Sequence, residues 1–105
     1  MNIEEFRAEL ETRLLIEKEY LIRELFSMNN DQEKLEILGK FNEKYRLLIK
    51  RLAGENGIDL NAPYDVENSA VNSDTNLSYE QVILGKTMNL YDRLSDELYE
   101  EITNV

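Results

Sequence analysis

Two pairs of glutamates, Glu33 with Glu36 and Glu97 with Glu100, stand three residues apart. That spacing puts both carboxylates of a pair on one helix face, where they suit Mg²⁺ or Ca²⁺. They are this chain's candidates for a metal site, and the reaction such a site would serve is magnesium-dependent nucleotide phosphohydrolysis. Holding a triphosphate also takes cations close to the carboxylates, and the segment around Glu97 offers only Lys86 and Arg93. Carboxylates can act without a metal as well. Asp92, Asp96, Glu97, Glu100 and Glu101 crowd one stretch, and these carboxylates read first as a solvated acidic face; beyond that, such an array can meet a basic protein or stand in for the phosphates of a nucleic acid in another protein's groove.

Residue types exclude much else. The chain contains no cysteine and no histidine, which removes thiol nucleophiles, disulfides, and thiolate or imidazole metal sites. Gly54 and Gly57 stand alone and make no phosphate-binding loop. Asp74, Asn76 and Ser78 begin with the spacing of a calcium loop, but Gly85 falls where its bidentate glutamate belongs. Asn76-Leu77-Ser78 reads as a glycosylation sequon, yet Ser78 is better explained as a helix cap. No cofactor is implied.

Twenty-two acidic and twelve basic residues give a net charge of −10, which opposes direct contact with nucleic acid or an anionic membrane. The N-terminus has neither the basic nor the apolar region of a signal peptide, and no run reaches the ~20 apolar residues of a membrane span. The expectation is a soluble, cytoplasmic protein. A lone domain of 105 residues buries roughly 65% of its unfolded surface, so a partner subunit would add stability.

Three amphipathic helices must position these groups, which makes the class all-α. The first is expected over 3–28, opened by a capping box of Asn2 and Glu5, with Phe6, Leu10, Leu14, Leu21 and Leu25 at spacings of three and four. Leu15, Ile22 and Phe26 widen that stripe beyond what one neighbour covers. Asn30 and Glu33 offer a second box for a helix over 31–53, so close that the two must form an antiparallel hairpin. Its face holds Leu38, Tyr45 and Leu52, with Leu35, Phe41, Leu48 and Ile49, while Ile37 and Leu47 fall to the sides. Ala53-Gly54 is the expected C-cap. A third helix over 79–103 opens with Ser78 and Gln81 and carries Leu84, Tyr91, Leu98 and Val105 at heptad spacing, with Met88, Leu94 and Ile102. Gly85 inside it suggests close helix crossing.

Residues 55–77 form a polar acidic loop, read as a mobile linker whose first half Ile58, Leu60 and Tyr64 could tie down. Charge is uneven: the first helix sums to −3, the second to +2, the loop to −5 and the third to −4. The cations of the second helix, Lys40, Lys44, Arg46, Lys50 and Arg51, read mainly as a solvated face beside acidic neighbours.

The architecture expected is a single domain, a long antiparallel hairpin plus a third helix in a small bundle or coiled-coil-like body. Apolar width beyond the needs of three helices predicts a homodimer, with Leu14, Leu15, Ile22 and Phe26, or Ile37 and Leu47, against a second copy. The function expected is non-enzymatic protein binding, by an adaptor, chaperone or inhibitor, through a helix face or the carboxylates. The alternatives are a nucleic-acid-mimicking inhibitor, of the kind a virus or mobile element uses, and the phosphohydrolase.

Overall fold

Asparagine and serine start the helices because their short side chains accept from backbone N–H groups that have no partner inside the first turn. The computed structural model describes residues 1–64 and 77–104. Its helices are α1 (Ile3–Leu25), α2 (Asp31–Glu55) and α3 (Tyr79–Asn104). Val66, Val71, Val105 and the middle of the expected loop lie outside the described residues.

At α1, Glu5 N–H donates to Asn2 Oδ1 at 2.8 Å and Asn2 N–H donates to Glu5 Oε1 at 3.1 Å, a complete capping box. Ser78 and Gln81 repeat it on α3 at 3.2 and 2.9 Å. Asn30 accepts from Glu33 N–H at 2.7 Å, but the return bond is not made, so that box is one-sided.

The helix ends differ from expectation. α1 stops at Leu25, three residues early, because the N–H groups of Phe26, Ser27 and Met28 bond the carbonyls three residues back and tighten the last turn. α2 runs through Gly54 to Glu55. Gly57 takes the left-handed conformation (φ 66°), its N–H reaches Gly54 O, and Ile58 N–H reaches Ala53 O at 2.9 Å. This is a Schellman end, placed where Ile58 can fold back onto the core.

The glycines therefore respond to alanine with opposite signs. Gly57→Ala forces a Cβ into a left-handed residue and is expected to cost about 1 kcal/mol. Gly39 and Gly85 are exposed inside helices, and a Cβ added at either meets nothing within 4 Å. The close crossing expected at Gly85 is thus absent, and Gly39→Ala and Gly85→Ala should each stabilise by about 0.5–1 kcal/mol. Urea unfolding midpoints test all three.

Pairing fixes the topology. Glu24–Lys40, Glu17–Lys44 and Arg13–Glu55 run α1 against α2 antiparallel, whereas Glu11–Arg93 and Lys18–Glu97 run α1 and α3 parallel. The chain goes up, down and up within 54 × 25 × 18 Å. Its hydrophobic core gathers Phe6, Leu10, Leu14, Ile37, Phe41, Ile83 and Leu98, each at most 1% exposed. α1 packs on both other helices more extensively than they pack on each other.

Where the loop leaves α2 it meets its own return. Tyr64 N–H donates to Leu77 O, Tyr79 N–H to Ala62 O and Glu80 N–H to Leu60 O, at 2.8–3.1 Å. Leu60 and Ile58 pack against the core and Tyr64 meets Tyr79 edge to face. Of the two readings of this loop, its first half follows the one in which Ile58, Leu60 and Tyr64 tie it down, and its carbonyls occupy the free N–H groups that open α3.

Candidate interaction surfaces

The α2–α3 seam is held by aromatic rings and hydroxyls. Tyr91 stacks on Tyr45 at 4.4 Å and on Phe41 at 5.5 Å, and its hydroxyl accepts from Asn42 Nδ2 at 3.1 Å. Beneath this, the Tyr45 hydroxyl lies 2.6 Å from Thr87 Oγ1, which lies 2.7 Å from Ile83 O. A carbonyl only accepts, so Thr87 spends its proton on Ile83, and Tyr45 donates to Thr87. Every buried side-chain polar atom among the described residues has a partner.

Burial pushes the Tyr45 hydroxyl above its ordinary value of 10.0, and the charge of Asp92 adds to the shift, while the Thr87 hydroxyl, able to turn its proton toward a phenolate, opposes it. The sign follows. The neutral phenol is the form that the fold favours, so its contribution is whole below about pH 10 and is lost as the pH climbs through the raised folded value. Denaturant unfolding between about pH 9 and 12 should show a loss of stability that is smaller in Tyr45→Phe.

Outside this layer the two helices part. A groove of about 440 Å³ opens, lined by Tyr45, Ile49, Leu84, Met88 and Tyr91 on its apolar side. Arg46 and Lys50 edge it on α2, and Glu80 and Asp92 on α3. Met88 is 50% exposed. Farther along the same helices, Leu35 and Tyr99 are also about half exposed.

A second apolar surface lies across the α1–α2 side. Ile16, Tyr20 and Leu47 are exposed by 52%, 56% and 42%. Tyr20 shares one surface depression with Leu47 and another with Ile16, so the three make a continuous patch. Ion pairs Lys44–Glu17 and Lys40–Glu24 border it.

The carboxylates fall elsewhere. Glu33 and Glu36 are exposed on the opening turns of α2. Glu97 faces α1 and accepts from Lys18 Nζ at 2.9 Å, while Glu100 points to solvent. Both pairs sit at one end of the bundle, yet among the described residues no three acidic side chains are grouped to hold a metal ion. Asp92, Asp96 and Glu100 recur every four residues along the exposed side of α3 and form no ion pair among the described residues, and Glu101 is exposed beside them.

Of the apolar residues assigned to a second copy, Leu14 and Ile37 are corrected: both are 0% exposed within the single chain. The core of the bundle takes up both, so nothing is left to offer a partner. Ile22 is half-buried against the core. Leu15, Phe26 and Leu47 remain exposed at 41%, 77% and 42%. Phe26 is the α1 cap, and the early end of that helix leaves its ring outside. Sequence reasoning missed Ile16, whose one signal is its place four residues before Tyr20 and off the buried stripe. It also placed Leu35 and Met88 on core-facing stripes, where the structure leaves both half exposed.

The chain matches no protein-family model, no curated protein and no solved structure. No helix among the described residues is long and apolar enough to cross a membrane. The fold itself is a small all-α bundle.

Proposed function

We propose that this chain is a non-enzymatic protein-binding module, an adaptor, chaperone or inhibitor, that docks its partner on the α1–α2 face. The patch of Ile16, Tyr20 and Leu47 carries this reading. The bundle closes its core without those side chains, and exposing them together on rigid helices costs solvation that contact with a partner would recover. An amphipathic helix laid across the patch would meet an apolar centre with charged borders. In affinity capture from the native cell, Ile16→Asp with Tyr20→Asp should release the partner without changing the circular dichroism. Retention of the same proteins by the double variant removes this reading.

The stripe of Asp92, Asp96 and Glu100 favours a second reading, mimicry of a nucleic-acid backbone toward a basic protein. Its signature is different. Capture would weaken steeply with salt and with charge reversal at Asp96 and Glu100, whereas the apolar patch would hold its partner at high salt.

A further inference from the structure

Ion pairs lace two of the three seams of this bundle and leave the third bare. Glu24–Lys40, Glu17–Lys44 and Arg13–Glu55 join α1 to α2, Glu11–Arg93 and Lys18–Glu97 join α1 to α3, and no ion pair joins α2 to α3 among the described residues. Charge is nevertheless present at that seam. Arg46 and Lys50 stand on the α2 rim of the groove and Glu80 and Asp92 on the α3 rim, facing each other across an apolar floor. All four lack an ion-pair partner among the described residues.

The antisymmetry of the rims selects the occupant. Whatever fills the groove must be apolar in the middle, acidic toward α2 and basic toward α3. A second copy of the same face meets all three demands when it is turned by a two-fold axis parallel to the helices. Its α3 then lies on α2 and its α2 on α3, each contact antiparallel, and every residue keeps its height along the bundle. The cross-groove bonds Asn42–Tyr91 and Tyr45–Thr87 set those heights. They bring Lys50 close to the level of Glu80 and put Arg46 within a long side chain's reach of Asp92.

Size agrees. Helices of 25 and 26 residues are about 38 Å long, and two side by side, each about 10 Å wide, present on the order of 750 Å². A standard interface takes about 800 Å² from each partner. We infer that the α2–α3 face is a homodimer interface, in which both grooves close on each other as a four-helix layer, with Met88, Leu35 and Tyr99 buried between the copies. The inference deepens the reading of the protein as a module that acts by helix-face contacts. It leaves the α1–α2 patch free on the outside of the dimer.

Sedimentation equilibrium of the full chain at concentrations up to about 100 μM tests it, since interfaces of this size associate with dissociation constants of about 1 μM or below. The wild type is expected to be a dimer, and Met88→Asp, a change at an exposed position that leaves the helices intact by circular dichroism, should raise the dimer dissociation constant more than tenfold. A charge exchange is the sharper arm. Arg46→Glu with Lys50→Glu should leave a monomer, as should Glu80→Arg with Asp92→Arg, and mixing the two chains should restore a dimer. A wild type that stays monomeric at 100 μM overturns the inference, as does a dimer indifferent to Met88→Asp and to the charge exchange. Either result leaves the α1–α2 patch to its own capture experiment.

Discussion

Phe41→Ala is expected to cost about 3–5 kcal/mol and to lower the thermal midpoint by about 15 °C or more. Phe41 is 0% exposed at the centre of α2 and stacks on Tyr91 at 5.5 Å. Its removal loses the transfer free energy of the ring, leaves a cavity that long straight helices cannot collapse into, and deletes an aromatic pair worth about 0.5–1.5 kcal/mol beyond its area. A chain of this length has only about 5–15 kcal/mol of net stability. The loss is therefore a large share of the whole margin. Thermal circular dichroism checks this, and a midpoint shift under about 5 °C would mean that the ring is not packed in the core.

Thr87→Val, nearly identical in shape, should cost about 1–3 kcal/mol because it strands the buried Tyr45 hydroxyl without an acceptor. Thr87 is 0% exposed and lies 2.6 Å from that hydroxyl. Tyr45→Phe should cost less, since Thr87 keeps its own bond to Ile83 O. The double variant has no unpaired group on either side, so its loss should fall below the sum of the single losses by about 1 kcal/mol. Urea unfolding of the four proteins gives the coupling. Additive losses would show that the two hydroxyls do not depend on each other.

How legible the fold was in the sequence varied with the range of the interaction. Asn2 with Glu5 and Ser78 with Gln81 are read correctly because a capping box closes within four residues. The ends were harder. Gly54 and Gly57 are both plausible stops, and the choice went to Gly57 because only there does Ile58 reach the core. α1 ended at Leu25 before Phe26 and Met28, although the apolar rhythm continues through both. That rhythm gives the direction of a side chain from its helix axis and says nothing of whether a neighbour stands there.

The candidate surfaces show the same division. The carboxylates of α3 were legible as an exposed array, but the engagement of Glu97 with Lys18 joins residues 79 apart and has no local trace. Leu14, Ile37, Leu35 and Met88 all lie on or beside apolar stripes, and their periodicity alone does not separate them. The first two vanish into the core, and the last two stand half exposed.

Three amphipathic rods, their starting points and the uneven charge among them were written in the order of residues, since each depends on contacts within a turn or two or on composition. Tertiary structure decided which seams close. α1 packs closely on both neighbours while α2 and α3 part above the Tyr45–Tyr91 stack. The physical reason is that three helices sharing one core leave some flanking apolar side chains with no fourth surface to cover them, and only the packed geometry shows which ones those are.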